Sequence, residues 1–340
     1  MTKIWIDIIN PSDALFFNPV IKRLSGYETN ITIRNRAEAV DLCKSLEING
    51  TVVGTNYHTP ITKIYSVFSR TVDLIFSAPK FDVSISFENP IAEAVSRARR
   101  KPSILFCDND LKFIQKKSFF QDLETKVKST ADHIIIPQVC FDNFCKIFDE
   151  SKLLTYDGCK EDIYIADYVP DPYFFNKIPF DNFVVVRPEA LESFYVKENK
   201  SIVHDILKTF EKECINVIYL PREEGDIKYA EGCVCYRPDK LLNGLDLCYY
   251  ADAVLTGSGT LAREAACMGT TSVSFFPSCS LLSIDQHFVN LGKIFHSRDS
   301  FDIVNYVLSN ISHSKMNDIS RSVNVNKKVM NITSKILESM

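Results

Sequence analysis

The chain has 340 residues, a length that suffices for two domains of ordinary size. Of these residues 46% are hydrophobic and 24% charged, a composition that excludes a disordered or fibrous protein. The formal net charge of −4 argues against a protein that binds nucleic acid through bulk electrostatic attraction. No apolar run approaches the roughly 18 residues of a membrane span, and the amino terminus lacks the apolar segment of a secretory signal, so we expect a cytoplasmic protein with no transmembrane segment.

Strands and helices alternate through the first half of the chain. Lys3–Ile9 is an apolar strand, and Ala14–Leu24 has helical spacing after the turn Asn10–Asp13. The alternation continues with the strands Asn30–Ile33, Thr51–Val53, Val83–Phe87, Ser103–Cys107 and Ile134–Ile136 and the helices Ala37–Leu46, Ile61–Phe76 and Ile91–Arg100. This pattern predicts a parallel sheet covered by helices on both faces.

The alternation breaks in the middle of the chain and then resumes. Tyr168–Pro179 contains three prolines and little periodicity, which indicates a linker. Strand and helix patterns follow over Asn182–Val186, Ile202–Cys214, Asn216–Leu220, Cys233–Tyr236, Leu241–Tyr250, Ala253–Leu255, Leu261–Met268 and Thr271–Phe275. We therefore predict a Rossmann-like domain (1–167), a linker (168–180), a second Rossmann-like domain (181–314) and an amphipathic C-terminal helix (315–340) that could pack back on the first domain.

The segment from Ala253 to Met268 combines an apolar strand, a small-residue turn and a helix that stops before a glycine. Free backbone N–H groups and the helix dipole make such a helix start an anion site. Gly257 and Gly259 have no Cβ, so a phosphate could approach the main chain closely. Glu264 would repel a bare phosphate but could accept hydrogen bonds from a ribose diol. The pattern favours a nucleoside diphosphate; the alternative is an ordinary strand-to-helix turn.

Carboxylates follow three predicted strands of the first half. Asp13 lies in the turn after the first strand, Glu88 follows Val83–Phe87, and Asp108 follows Ser103–Cys107. Ligands of parallel α/β sheets bind at the carboxyl ends of the strands. These acids are therefore candidates for catalysis, and the paired carboxylates of Asp108 and Asp110 could serve as a general base or as metal ligands. The alternative for the group from Asp108 to Asp110 is that it caps a helix over Leu111–Lys117.

Arg187 follows the first predicted strand of the second half, Asn182–Val186. A guanidinium group at a strand end is suited to bidentate contact with a phosphate. A structural ion pair with Glu189 is the alternative.

The eleven cysteines are scattered and do not have the CxxC spacing of a zinc or redox pair. Cys107, Cys214, Cys248 and Cys267 lie within apolar runs, so we expect them to be buried reduced thiols.

The second half of the chain resembles a known group of enzymes. Residues 245–277, LDLCYYADAVLTGSGTLAREAACMGTTSVSFFP, and the later DQHFVNLGKIFH are similar to the C-terminal donor domain of GT-B glycosyltransferases, particularly the undecaprenyl-muramyl-peptide GlcNAc transferase group. The UDP-GlcNAc 2-epimerases share this frame. The amino-terminal KIWIDIINPSDALFFNPVIKRL and the RPEA segment resemble an uncharacterised archaeal and bacterial family of the same superfamily. The resemblance implies an α/β GT-B fold, with two Rossmann-like, doubly wound domains facing a central cleft.

The resemblance also implies roles for individual residues. The diphosphate of a nucleotide sugar would be held by Gly257, Ser258, Gly259 and Thr260, with Arg187 near the phosphates, Glu264 on the ribose hydroxyls and Gln286 on the donor sugar. Two departures bear on the chemistry. The epimerases carry a histidine-arginine-arginine-glutamate motif where this chain has Arg187-Pro188-Glu189, and the first loop of the transferases is rich in glycine, which Asn10–Asp13 lacks. Relatives in the uncharacterised family carry a histidine near Asp13, and Asp13 itself could replace it.

The leading hypothesis is a metal-independent GT-B glycosyltransferase that uses a nucleotide sugar, most simply a UDP-sugar, in surface glycan or glycoconjugate synthesis. Asp13 or Asp108 would deprotonate the acceptor. The alternatives are a UDP-GlcNAc 2-epimerase-like enzyme, with acid and base groups from Glu88, Asp108 and Asp110, and a non-catalytic protein of the same fold. We expect no metal and no tightly bound cofactor. The acceptor and the oligomeric state are undefined, and peripheral membrane association is left open.

Overall fold

The computed structural model describes residues 1–54, 60–111, 119–189, 191, 200–278, 280–311 and 318–340. The chain divides into two compact units: unit 1 contains Met1–Tyr164 and Val325–Met340, and unit 2 contains Ile165–Asn324. Most of the predicted helix over Leu111–Lys117 lies outside the described residues.

Unit 1 is built on a parallel sheet. Its strands are β1 (Lys3–Ile8), β2 (Glu28–Arg34), β3 (Thr51–Val53), β4 (Val83–Phe87), β5 (Ser103–Phe106), β6 (His133–Pro137) and β7 (Leu153–Tyr156). They are ordered β3-β2-β1-β4-β5-β6-β7, and every neighbouring pair is parallel. The helices between them are α1 (Pro11–Arg23), α2 (Ala37–Ser45), α3 (Pro60–Ser77), α4 (Pro90–Ala98), α5 (Phe119–Lys128) and α6 (Phe141–Phe144), and α7 (Lys160–Ile165) follows β7.

The first strand shows why both faces of this sheet are buried. Ile4, Ile6 and Ile8 alternate with Trp5 along β1, because successive side chains of a strand point to opposite faces. The isoleucines belong to one apolar cluster with Phe16 of α1, whereas Trp5 packs in a second cluster with residues of α3 and α4. A strand covered on both faces gives a nearly continuous apolar sequence, which is the pattern predicted for it.

Unit 2 is built on a smaller parallel sheet. Its strands are β8 (Val184–Arg187), β9 (Val217–Tyr219), β10 (Ala253–Thr256), β11 (Thr271–Ser274) and β12 (Phe295–His296), in the order β12-β11-β10-β8-β9. Its helices are α8 (Val203–Lys212), α9 (Gly244–Tyr250), α10 (Gly259–Cys267), α11 (Ser283–Asn290) and α12 (Ser300–Asn310). The chain therefore forms two α/β units, each with a parallel sheet, as the alternation predicted.

The last helix, α13, covers Ser320–Ser339. Val325, Val329 and Ile336 of this helix are buried in the same apolar cluster as β1 and α1. The Asn326 side chain donates from Nδ2 to the main-chain oxygen of Ile163, at 2.6 Å. These contacts fix the carboxyl-terminal part of α13 in unit 1.

Three local sequence interpretations were wrong or incomplete. The strand predicted at Cys233–Tyr236 is only an isolated bridge between Ile218 and Tyr236, because Gly232 takes the left-handed φ of 69° before it and Pro238 ends the segment after it. Strand β7 was not predicted, since four residues carry too little pattern. Cys214 is exposed, with φ 55° just beyond the end of α8, whereas Cys107, Cys248 and Cys267 are buried as expected. All the described cysteines are free thiols.

None of the described helices combines the length and the apolar character needed to cross a membrane.

Candidate functional site

The sheet of unit 2 reverses its strand order between β8 and β10. The chain adds β9 on one side of β8 and then returns to place β10 on the other side. In doubly wound sheets, ligands bind outside the carboxyl ends of the strands at such a switch point. Thr256, the last residue of β10, is in register with Arg187, the last residue of β8. The topology thus brings the glycine-rich turn and the arginine to the same place, although 69 residues separate Arg187 from Thr256 along the chain.

The turn after β10 leads directly into the start of α10. Ser258 is the N-cap residue, with extended dihedral angles (φ −114°, ψ 120°), and its side chain makes no capping hydrogen bond. The Ser258 N–H donates to Thr256 Oγ1 at 2.9 Å, and the Gly257 N–H donates to the Arg187 carbonyl at 3.2 Å. The first turn of α10 contains no acidic residue. The N–H groups of the following residues have no acceptor within the helix, so this helix start favours an anion.

The two glycines of the turn are required by internal packing. A Cβ on Gly257 would lie 2.5 Å from the Glu189 Cα, and one on Gly259 would lie 2.9 Å from both Arg263 Nη1 and Asp285 Oδ2. The space that the missing side chains leave is therefore filled by protein atoms. This corrects the sequence argument, which assigned that space to a phosphate: an anion has to approach the turn from its other side.

Glu189 does not serve Arg187 as the sequence alternative supposed. Its carboxylate is buried and accepts hydrogen bonds from Arg298, from Ser201 Oγ at 2.6 Å and from the Ile202 N–H at 3.2 Å. Arg298 also donates to the carbonyls of Phe275 and Lys200, both at 2.9 Å. Arg298, which follows β12, thus ties the segment after β8 to the segment after β11, next to a half-buried Arg187.

A second ion pair lies under the start of α10. Arg263 is 2% exposed and pairs with Asp285 of α11, and both side chains surround Gly259. Sequence reasoning missed this pair; the available signal was an arginine placed on the apolar face of a helix, four residues after a glycine that starts it. The pair holds α10 and α11 together at the turn.

The remaining predicted ligand contacts of unit 2 lie on the same two helices. Glu264 is in the second turn of α10 and is buried. Gln286, on α11, is exposed, and its Nε2 donates to Asn290 Oδ1 at 2.9 Å. Thr260 lies in the first turn of α10 and is half-buried. Their contacts with a nucleotide sugar remain predictions.

The sheet of unit 1 has its own switch point, between β1 and β4. Asp13 lies there, in the first turn of α1, and is 2% exposed. Its Oδ2 accepts hydrogen bonds from the N–H groups of Asn10 at 2.9 Å and Ile9 at 3.2 Å. Burial raises the pKa of Asp13 to about 7, although these two hydrogen bonds and the charge of Lys160 lower it and Asp7 raises it further. Asp13 therefore caps the start of α1 and also has a pKa near 7.

Glu88, directly after β4, is held by an ion pair. Its carboxylate is paired with Lys128 of α5, which also pairs with Glu124 at 2.7 Å. The other Glu88 oxygen accepts from the N–H groups of Asp108 and Asn109, each at 3.0 Å. Burial alone would lower the pKa of Lys128, but the two carboxylates raise it above its ordinary value. These contacts give Glu88, whose φ is 49°, a structural role at the edge of the sheet.

Asp108 and Asp110 are also engaged. Asp108 Oδ2 lies 3.5 Å from the ammonium of Lys160, and Asp110 accepts from Asn143 Nδ2 at 2.8 Å. The three acids after β1, β4 and β5 thus lie along one edge of one sheet, as predicted. Whether any of them contacts a substrate remains a prediction.

The chain belongs to the family described as "Protein of unknown function (DUF354)", whose model matches residues 2–334. It is 25% identical over 321 residues, 91% of each chain, to the uncharacterized protein MJ0665 of Methanocaldococcus jannaschii.

Two solved structures show the fold. One is the UDP-GlcNAc 2-epimerase of Methanocaldococcus jannaschii in complex with UDP-GlcNAc and UDP. The two sequences are 14% identical, the match covers 98% of this chain and 100% of that one, and the TM-score is 0.73. The other is the glycotransferase of kitacinnamycin, at 10% identity, 98% coverage of both chains and a TM-score of 0.60. The protein therefore has the GT-B fold of nucleotide-sugar enzymes, as the resemblance implied.

Proposed function

We propose that unit 2 binds the diphosphate of a nucleotide sugar, most simply a UDP-sugar, at the switch point between β8 and β10. The observation that carries this proposal is the register that places Arg187 beside the uncapped start of α10. Main-chain N–H groups of the first turn of α10, which begins at Gly259 and Thr260, and one guanidinium group form a set of donors that suits a diphosphate. Glu264 would then accept the ribose hydroxyls, and Gln286 would contact the sugar.

The reaction that we propose is glycosyl transfer to an acceptor, with Asp13 as the general base. Direct displacement at the sugar needs one base to take the proton of the attacking hydroxyl, and a base is most effective when its pKa lies near the working pH. Burial raises the pKa of Asp13, one of the predicted catalytic acids, to about 7. The leaving diphosphate would be stabilised by the helix start and by Arg187.

A nucleotide-sugar epimerase is the second candidate, favoured by the match of nearly the whole chain to a UDP-GlcNAc 2-epimerase. Epimerisation needs an acid and a base on opposite faces of the sugar. Glu88, Asp108 and Asp110 were predicted to supply them. The first two are paired with Lys128 and Lys160, and Asp110 accepts a hydrogen bond from Asn143. Because these side chains already have partners within the protein, we rank epimerisation second.

The test is to incubate the protein with UDP-GlcNAc and other UDP-sugars in deuterated water, with and without candidate acceptors, and to follow the products by mass spectrometry and NMR. Transfer predicts UDP release that depends on the acceptor and a product heavier by one sugar. Deuterium at the sugar C2 without acceptor would support the epimerase. Binding of UDP with neither reaction would support a non-catalytic protein, and no binding of any nucleotide would overturn the proposal.

A further inference from the structure

Three arginines gather at the carboxyl ends of β2 and β3 in unit 1, and the proposed function does not use them. Arg34 is the last residue of β2 and is in register with Val53 of β3. Arg36 is two residues further along the chain. Arg70 of α3 reaches the same edge, where its Nε donates to the Val53 carbonyl at 3.2 Å. We call Arg34, Arg36 and Arg70 the arginine cluster.

Arg70 is neutralised inside this cluster by a buried carboxylate. Its Nη2 and Nη1 donate to the two oxygens of Asp7 at 2.6 and 2.9 Å, and both side chains are at most 2% exposed. Thr32 and Asn89 donate to the same carboxylate, at 2.6 and 2.8 Å. Asp7 is therefore saturated with donors, and it has no oxygen left for a second arginine.

Arg34, in contrast to Arg70, has no carboxylate partner among the described residues. Its side chain is half-buried, yet none of the hydrogen bonds or ion pairs among the described residues involves its guanidinium group. None of its nitrogen atoms is both fully buried and without a hydrogen-bond partner, so the unpaired nitrogen atoms are accessible to solvent. Burial lowers the pKa of Arg34, and so do the charges of Arg70 and Arg36, with only Asp7 acting against them. An anion bound here would relieve that repulsion.

Arg36 links the arginine cluster to the proposed base. Its Nη1 donates to Asn10 Oδ1 at 3.3 Å, and the Asn10 N–H donates to Asp13. Its contact with a carboxylate is loose, because Nη2 lies 3.8 Å from Glu38 and both side chains are well exposed. Three guanidinium groups face two carboxylates, Asp7 and Glu38, so one positive charge is in excess beside the turn that carries Asp13.

We propose that Arg34 and Arg36 bind a phosphate group of the acceptor substrate at the carboxyl edge of β2. Two guanidinium groups offer planar sets of donors, which fit the several oxygens of a phosphate ester better than the two of a carboxylate. The assignment of this phosphate to the acceptor rests on the proposed transfer reaction, whereas the anion site itself does not. A phosphate held there would place the acceptor next to the Asn10–Asp13 turn.

The test measures binding of glycerol 3-phosphate and of inorganic phosphate by calorimetry at low salt, with UDP at saturation so that the unit 2 site is occupied. The variants are R34A, R36A, the double variant, and R34K, which keeps the positive charge but lacks the planar set of guanidinium donors. Arg97, exposed near the end of α4 where the chain returns to the opposite edge of the sheet, supplies the control R97A. Thermal unfolding of each variant checks that the fold is retained.

We expect the double variant to bind both probes at least tenfold more weakly, R34K to be intermediate, and R97A to match the wild type. Wild-type affinity in a folded double variant would overturn the proposal and leave UDP binding untouched. Conversely, the protein could bind phosphate through Arg34 and Arg36 but bind no nucleotide. That result would support the anion site and contradict the proposed function.

A second arm assigns the source of the phosphate. The wild type and the double variant are sedimented with phosphatidylglycerol vesicles and with phosphatidylcholine vesicles. Binding to the anionic vesicles that the double variant loses assigns the phosphate to a lipid. Binding of glycerol 3-phosphate alone, with the same dependence on the arginines, assigns it to a water-soluble acceptor. If both binding signals survive in the double variant, the proposal fails.

Discussion

The switch points of the two sheets use polar groups in different ways. In unit 2, the point between β8 and β10 carries main-chain N–H groups at an uncapped helix start, with Arg187 beside them. In unit 1, the point between β1 and β4 carries acids, and the Asp13 carboxylate accepts main-chain N–H groups of the turn that precedes its own helix. At the start of α10 the N-cap side chain makes no capping hydrogen bond, whereas at the start of α1 a carboxylate accepts the N–H groups of the two residues that precede the helix.

A polar residue after a strand can therefore stabilise the fold or contact a ligand, and its hydrogen-bond partners distinguish the two roles. Glu88 has a lysine and two main-chain N–H groups as partners, so its position is explained by folding alone. The Ser258 side chain makes no capping hydrogen bond at the start of α10, so no fold-stabilising contact of that side chain explains this helix start. The variants below alter one side of this comparison at a time, in order of the expected effect.

The largest effect is expected for Lys128→Met. Lys128 is buried between Glu88 and Glu124, and its removal leaves two carboxylates in place without their cation. Loss of one partner of a buried ion pair costs roughly 3–5 kcal/mol. Urea unfolding measures this cost, and Lys126→Met on the exposed face of the same helix is the control, expected to change little. A loss no larger than the control's would contradict the structural role that the ion pair with Lys128 gives Glu88.

The second effect is a pH dependence of stability that Asp13→Asn removes. The folded-state pKa of about 7 lies above the ordinary 3.8, so the folded protein holds this proton more tightly than the unfolded chain. The resulting stability is fully present below pH 3.8 and is lost as the pH rises through 7. Its size is on the order of 4 kcal/mol.

The Asn variant should therefore be more stable than the wild type above pH 7, with a flatter profile between the two limits. Urea midpoints across the pH range measure this, and Glu93→Gln provides the comparison. Glu93 is a buried acid whose pKa burial also raises to about 7, but it is bonded to Ser86 and Ser103 in the core. Both variants should flatten the profile, and only Asp13→Asn should abolish transfer. Full activity in Asp13→Asn would remove the proposed base.

A third, smaller loss of stability is expected for Gly257→Ala. The added Cβ would lie 2.5 Å from the Glu189 Cα, and a main-chain atom cannot rotate away. Overpacking of this kind costs about 1–3 kcal/mol. Gly244→Ala is the matched control, since a Cβ there meets nothing within 4 Å. Equal thermal unfolding of the two variants would contradict the packing that the structure gives the turn.

The smallest effect is expected for Gln286→Ala. Gln286 is exposed, so its loss should leave the unfolding transition unchanged. If its amide contacts the donor sugar, affinity for UDP-GlcNAc should fall about fivefold, the equivalent of one hydrogen bond of ~1 kcal/mol, while affinity for UDP stays the same. A parallel loss for both ligands, or for neither, would place Gln286 elsewhere.

The sequence predicted the elements of the fold well, because strands buried on both faces are continuous apolar runs that end in turn residues. It could not predict which residues meet at the switch points. Arg298 and Asp285 gave no local signal, since their partners Glu189 and Arg263 lie 109 and 22 residues away. The glycines of the turn were located correctly but explained incompletely, because their neighbours come from other segments. Burial decides the titration of Asp13, and burial depends on tertiary packing.

The central claim is that the start of α10 and Arg187 together bind a nucleoside diphosphate. Calorimetric titration of UDP into the wild type, Arg187→Ala and the control Lys212→Ala, an exposed residue at the end of α8, tests it directly. A hydrogen bond to a charged group contributes about 1.5–3 kcal/mol, so Arg187→Ala should weaken UDP binding roughly ten- to a hundredfold while Lys212→Ala binds like the wild type. Equal affinity of all three proteins, or no binding by any of them, would contradict the claim.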